Sequence, residues 1–254
     1  MTDFPPPIPA ATLVLMRERP DGPPELLMVE RAETMVFAAG AMVFPGGRVD
    51  PGDHFVAANP ALVTVSDDPD DAAGRVAAIR ECVEEVGIAV GFSAPPAVVA
   101  ELRVGLARGE AFGALLRDAG LTLDLAALLP FARWLPKHRK TRRYDTRFYV
   151  AAAPADAVAA ADGGESVLAM WISAEAVLAD AAAERRNVIF PTARNLERLA
   201  LFGSVAEVHA HVAQFPVRTM TAWTEERAGE RWLRIPEGMG YPVTEMRLEP
   251  AKRE

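Results

Sequence analysis

Apolar residues recur along this chain with two spacings. Residues 11–16 and 25–31 are near-continuous apolar runs of strand length, separated by Arg19-Pro20-Asp21-Gly22-Pro23-Pro24, a segment dense in turn-forming residues. They predict a hairpin-like start. A shorter run at 41–44 predicts a strand entering Pro45-Gly46-Gly47, where glycine permits backbone geometry closed to other residues. Over 72–86 the spacing turns helical: Val76, Ile79, Val83 and Val86 fall near one stripe, acids and Pro69 precede them, and Gly87 follows as a C-terminal stop.

Residues 95–129 carry two Leu/Ala-rich periodic segments around Gly120 and predict a helical insertion. Strands are expected at 131–135, 147–152 and 167–172, then helices at 173–183 with Ser173 as cap, at 192–201 and at 205–214, and a last strand at 232–235. The order is α+β.

Composition narrows the setting. The chain has 254 residues, 50% of them apolar, enough for a substantial core. No apolar run has the length of a membrane helix, and Met1-Thr2-Asp3-Phe4 lacks the basic and apolar regions of a signal peptide. Cys82 is the single cysteine, so no internal disulfide forms and the cytoplasm is the expected compartment. A net charge of −8 argues against a nucleic-acid partner but leaves room for a local basic patch meeting a phosphorylated small molecule.

The helix at 72–86 carries chemistry as well as a core face. Glu81, Glu84 and Glu85 stand at i, i+3 and i+4, so their carboxylates converge on one side. Like charges so placed repel unless a cation holds them. Mg²⁺ or Mn²⁺ prefers such hard oxygen ligands, with phosphate oxygens completing the shell. A solvated helix face is the plain alternative for Glu-x-x-Glu-Glu alone.

The wider context, Arg80-Glu81-Cys82-Val83-Glu84-Glu85-Val86-Gly87-Ile88 behind a Gly46-Gly47 loop and the acid Asp53, resembles the signature of the Nudix hydrolases. Two departures stand out. Asp53 occupies the place of the family's Glu, and residues 54–79 make a much longer connection than the family has between that acid and Arg80. An expanded loop of this kind is similar to a larger, split-box subgroup that includes a peroxisomal coenzyme A diphosphatase. Residues 142–148 and 190–196 resemble that subgroup as well, whereas the C-terminal Ala251-Lys252-Arg253-Glu254 carries no peroxisomal tripeptide.

The resemblance implies an α/β/α sandwich with a mixed sheet over residues 8–190, with the expanded loop at 54–79, a helical insertion at about 95–130 and a C-terminal helical extension at 191–248. It implies Glu81, Glu84, Glu85 and the Gly46 carbonyl as ligands of Mg²⁺ or Mn²⁺, with Arg80 orienting a carboxylate. Asp53 would support Arg80, and Gly47 and Gly87 would shape the loop and the helix end. Glu165 or Glu81 would be the catalytic base. The substrate would be a nucleoside diphosphate linked to another moiety, with coenzyme A or its acyl esters leading and NADH or ADP-ribose open. Family members commonly pair as homodimers. The alternatives are a ligand-binding sensor without turnover, and an RNA cap-removing enzyme.

A basic cluster, Arg139, Lys140, Arg142, Arg143 and Arg147 with Tyr144, is the candidate phosphate and base clamp, with Arg31 and Arg48 as further candidates beside the glycine loop. A solvated strand edge is its plain alternative. Asp67-Asp68-Pro69-Asp70-Asp71 reads as a helix cap rather than a calcium loop, and Trp134, Trp171, Trp223 and Trp232 read as core anchors.

Overall fold

The computed structural model describes residues 5–35, 38–64, 68–136 and 143–248. Its first elements follow the apolar runs. Strands β1 (Ile8–Arg17) and β2 (Glu25–Arg31) pair antiparallel, β3 (Met42–Val43) adds to β2, and β4 (Gly46–Arg48) adds to β1. Two helices follow. Helix α1 (Pro51–Ala57) carries Asp53 and runs into the start of the long connection, where no element is expected from the sequence; its start is a capping box in which Asp50 and Asp53 satisfy each other's backbone N–H. Helix α2 (Pro69–Val86) begins where the Asp68 side chain accepts from the N–H groups of Asp70 and Asp71, and it stops at Gly87, whose φ is 70°.

The insertion forms α3 (Pro96–Ala107) and α4 (Phe112–Asp118), then a 3₁₀ turn at Leu125–Ala127. The break between the helices lies at residues 108–111 rather than at Gly120, which instead follows α4. Both Gly109 and Gly120 have positive φ, so either could stop a helix, and apolar spacing alone could not choose. Strands β5 (Leu129–Trp134), β6 (Tyr144–Ala152) and β7 (Ser166–Ser173) then complete most of the sheet. Helices α5 (Ala174–Ala182), capped by Ser173, α6 (Phe190–Leu199) and α7 (Val205–Gln214) follow.

Only the first part of 191–248 is helical. Strand β8 (Thr219–Met220) joins β5, and β9 (Trp223–Arg227), β10 (Glu230–Arg234) and β11 (Glu245–Leu248) form a separate antiparallel sheet. Ion pairs from Glu225 to Arg227 and Arg234, and from Glu245 to the same two arginines, lace this sheet. None of its strand residues is fully buried, so no apolar alternation marks them, which is why periodicity showed only one of these strands.

The main sheet runs β3-β2-β1-β6-β5-β8, with β7 on the other edge of β2. It is mixed, because β1 and β6 are parallel while β1–β2 and β5–β6 are antiparallel. Along β1, Leu13 and Leu15 join a core under α2, while Val14 and Met16 join a second core under α6 and α7. Both faces are therefore covered, which explains why β1 and β2 read as continuous apolar runs rather than alternating ones. Leu13 is fully buried, and truncating such a side chain to alanine costs about 2–5 kcal/mol.

Candidate active site

Strand β4 and helix α1 converge on the acidic face of α2, and Arg80 joins them. Its Nε and Nη2 donate to the two carboxylate oxygens of Asp53 at 2.9 and 2.9 Å, and Nη2 also donates to the Arg48 carbonyl at 2.9 Å. Nη1 donates to Glu81 at 2.8 Å and to Glu84 at 3.4 Å. Asp53 reaches Arg80 despite its shorter side chain because α1 carries it there as the third residue of the helix. The same carboxylate accepts the Asp50 N–H at 2.8 Å. Asp53 is only 1% exposed, so this is a buried pair.

Glycine fixes the floor. A side chain on Gly46 would meet the Ala11 carbonyl and Thr12 of β1, and one on Gly47 would run into the Glu81 carboxylate. The loop thus lies against both the sheet and the acidic helix. Glu85 accepts the Gly46 N–H at 3.3 Å, while its other carboxylate oxygen, Oε1, is buried with no partner among the described residues.

The electrostatics record the crowding. Burial pushes the Glu81 carboxyl up to about 7, with Glu84 and Glu165 adding to the rise and Arg80 opposing it. Glu84 is raised by burial, and Glu85 well above its ordinary value by burial and then by the charge of Glu81. Among the described residues no group of three acidic, histidine or cysteine side chains is gathered as a metal-holding cluster, and Arg80 draws Glu81 and Glu84 to itself. The donor set nevertheless fits a divalent cation: Glu81, Glu84 and Glu85 supply hard carboxylate oxygens from one face of α2, and one of those oxygens is buried and unsatisfied.

These groups open into a cavity of about 1050 Å³. Arg31, Arg48, Tyr144 and Glu165 line it beside the acidic helix, as do the aromatic side chains of Trp134, Phe148 and Phe190. The insertion reaches it through Leu106 and residues 109–112, so its helices form part of the wall. Glu165 stands in the turn before β7, 3.8 Å from Arg31, and its charge is felt by Glu81, Glu84 and Glu85.

Other expected residues lie elsewhere. Arg143 donates to the backbone carbonyls of Pro136 and Pro5 and is not part of the cavity wall, so it ties the N-terminal segment to the β5–β6 connection. Arg147 points toward α2, its Cδ beside Gly74. Arg142, Arg139 and Lys140 lie outside the described residues. Gly46, by contrast, lines the cavity and contributes its N–H to Glu85. Of the tryptophans only Trp134 is buried, since Trp171 is half-buried beneath Arg17 and Trp223 is exposed.

One residue escaped the sequence reading altogether. Arg103 of α3 donates to the carbonyls of Glu84 at 3.0 Å, Glu85 at 2.8 Å and Ala160 at 2.8 Å. It therefore caps the C-terminal end of α2 and ties that end to the segment leading to Glu165. Nothing in the local pattern of α3 marks it, because its partners are backbone atoms far along the chain.

No family model matches the sequence. Among solved structures, a Nudix hydrolase from Alicyclobacillus acidocaldarius superimposes with a TM-score of 0.72 at 30% identity, covering 83% of this chain and 97% of that one. An Ap4A hydrolase of C. elegans, at 16% identity over 82% of this chain and 99% of that one, gives 0.43. A MutT protein from Methanosarcina mazei gives 0.42 at 16% identity, over 79% and 97% of the two chains. The first of these covers nearly a whole relative at an identity that shared fold alone does not require, and on that similarity the chain belongs to the Nudix hydrolase family.

Proposed function

We propose that this chain is a divalent-metal-dependent hydrolase of the diphosphate bond in a nucleoside diphosphate linked to a second moiety. The observation that carries the reading is that Glu81, Glu84 and Glu85 of one helix all line the large cavity, with Glu85 Oε1 buried and unsatisfied among the described residues. Mg²⁺ or Mn²⁺ held by these three carboxylates would supply neutralisation of the diphosphate and activation of water. Arg80, anchored by Asp53, holds Glu81 in place and keeps the acidic helix registered on β4.

Glu81 is the better placed proton acceptor, because its carboxylate stands directly over Gly47 of the glycine loop. Glu165, which lines the same cavity beside Arg31, is the alternative. Arg31 and Arg48 present guanidinium donors to phosphate oxygens, and Tyr144 and Phe190 offer faces for a base or an apolar group. A cavity of about 1050 Å³ supports a substrate with a bulky second moiety, and coenzyme A or an acyl ester of it heads the list, ahead of NADH and ADP-ribose.

A purified-protein screen against coenzyme A, acyl-coenzyme A, NADH, ADP-ribose and dinucleoside polyphosphates in Mg²⁺ or Mn²⁺ tests this. Mass spectrometry in ¹⁸O-labelled water then identifies the attacked phosphorus. Turnover giving two phosphorylated products is expected. Saturable binding without hydrolysis of any of them would favour a sensor instead.

A further inference from the structure

Buried charges in this protein come with partners, and the exceptions are informative. Arg80 has Asp53, and Arg194 has Glu197 at 2.6 Å. Glu85, with its unsatisfied oxygen, faces the proposed cation. Among the described residues Arg198 is the remaining case. It is 2% exposed, lies on α6 behind β5, and has no carboxylate among its contacts. Nε donates to His211 Nε2 at 2.9 Å and Nη1 to the Phe131 carbonyl at 3.1 Å, while Nη2 has no acceptor among the described residues.

Aromatic faces surround the guanidinium: Phe131 at 4.2 Å, Tyr241 at 5.2 Å and Phe215 at 5.9 Å. These contacts offset part of the cost of burying a cation, but a ring face gives Nη2 no lone pair in line. Burial lowers the Arg198 pKa, and the Tyr241 phenol pulls it back up, by its charge and by a hydrogen bond to the guanidinium. Beside this cage lies a second cavity of about 250 Å³, several times the ~30 Å³ that a water takes in the liquid. Arg198, Phe131 and Tyr241 line its inner side, and Phe215 and the exposed Arg218 line its outer side.

We propose that this second cavity is a binding site for a small oxyanion, a phosphate or carboxylate group, that pairs with Arg198 from inside and Arg218 from outside. Two guanidinium groups facing one small space in a chain of net charge −8 suit planar, bidentate recognition of an oxyanion. The site is separate from the acidic helix and does not depend on the proposed hydrolysis. Met220 is nonetheless a wall of both cavities, and Trp134, which lines the larger one, packs edge-on against Tyr241 at 5.8 Å.

The test uses the full chain without substrate or metal. Inorganic phosphate and acetate are titrated at constant ionic strength against chloride, with calorimetry and thermal unfolding as readouts. Saturable binding of at least one of them to the wild type is expected, and the stronger of the two identifies the oxyanion. Arg198→Met, which keeps the stem and removes the charge, abolishes that binding. Arg218→Glu, at an exposed position that leaves the fold intact, weakens it at least about tenfold through like-charge repulsion. This second variant decides the matter if Arg198→Met does not fold. Absence of saturable binding by either anion, or binding unchanged in Arg218→Glu, overturns the proposal. Binding that survives Arg198→Met but is lost in Arg48→Ala would place the anion in the larger cavity and overturn it equally.

Discussion

Asp53→Asn is the most exacting perturbation of the structural frame around the acidic helix. The change keeps shape and volume but removes the carboxylate that holds Arg80 Nε and Nη2 at 2.9 Å each. Asp53 is 1% exposed and the Arg80 side chain 11%, so water cannot replace the lost partner. Breaking a buried pair from one side costs about 3–5 kcal/mol, because the surviving charge stays buried. Arg80 retains Glu81 and Glu84, which places the expected loss near the lower end, about 3 kcal/mol. For a chain of this length that is a fall in Tm of roughly 6–12 °C. The freed guanidinium turns more fully to Glu81, so kcat should fall as well. Urea and thermal unfolding of wild type and variant, with fixed buffer and no metal, give the number directly. A loss below about 1 kcal/mol would refute the reasoning, since an exposed ion pair is worth no more than that.

Three further outcomes follow from the same geometry. Gly47→Ala drives a methyl group into the Glu81 carboxylate, the flexible end of a side chain, so Tm should move by only a few degrees while kcat falls on the order of a hundredfold; steady-state kinetics and unfolding on one preparation separate the two. Burial pushes the Glu81 carboxyl up to about 7 from an ordinary 4.5, so between those values the folded state holds a proton that the unfolded state releases; metal-free stability is therefore lost as pH rises from 4.5 through 7. The Tm gained on adding Mg²⁺ should accordingly be larger at pH 8 than at pH 5, and an equal gain at both would contradict the convergence of the three carboxylates. Arg103→Met should cost about 2–3 kcal/mol and speed amide exchange in the segment from Ala160 to Glu165, because three backbone carbonyls lose their donor; unchanged exchange there would show that the cap does not hold that segment.

The acidic helix was legible because two signals coincided there: an apolar stripe set the period, and Asp68 and Gly87 marked its ends. Strands β1 and β2 were legible for a different reason, since burial on both faces leaves long apolar runs. The seven residues of α1 carry too little period to read, although Asp50, Pro51 and Asp53 spell a helix start in retrospect. That helix is what makes the shortened acid sufficient. The basic cluster was read by residue type, and type does not say where a guanidinium points: Arg143 spends its donors on Pro136 and Pro5, while Arg31 and Arg48 line the cavity. Arg103 and Arg198 were invisible for the same reason. Their partners are carbonyls, rings and a histidine brought together only by the fold.

The central claim is that Glu85, with its buried unsatisfied oxygen, holds a cation required for turnover. Glu85→Gln preserves the Gly46 contact as an acceptor and removes one charge. On the substrate identified by the screen, with saturating Mg²⁺, kcat should fall at least about a hundredfold while metal-free Tm holds or rises, because a buried carboxylate has been relieved. Turnover close to wild type in that variant would contradict the account.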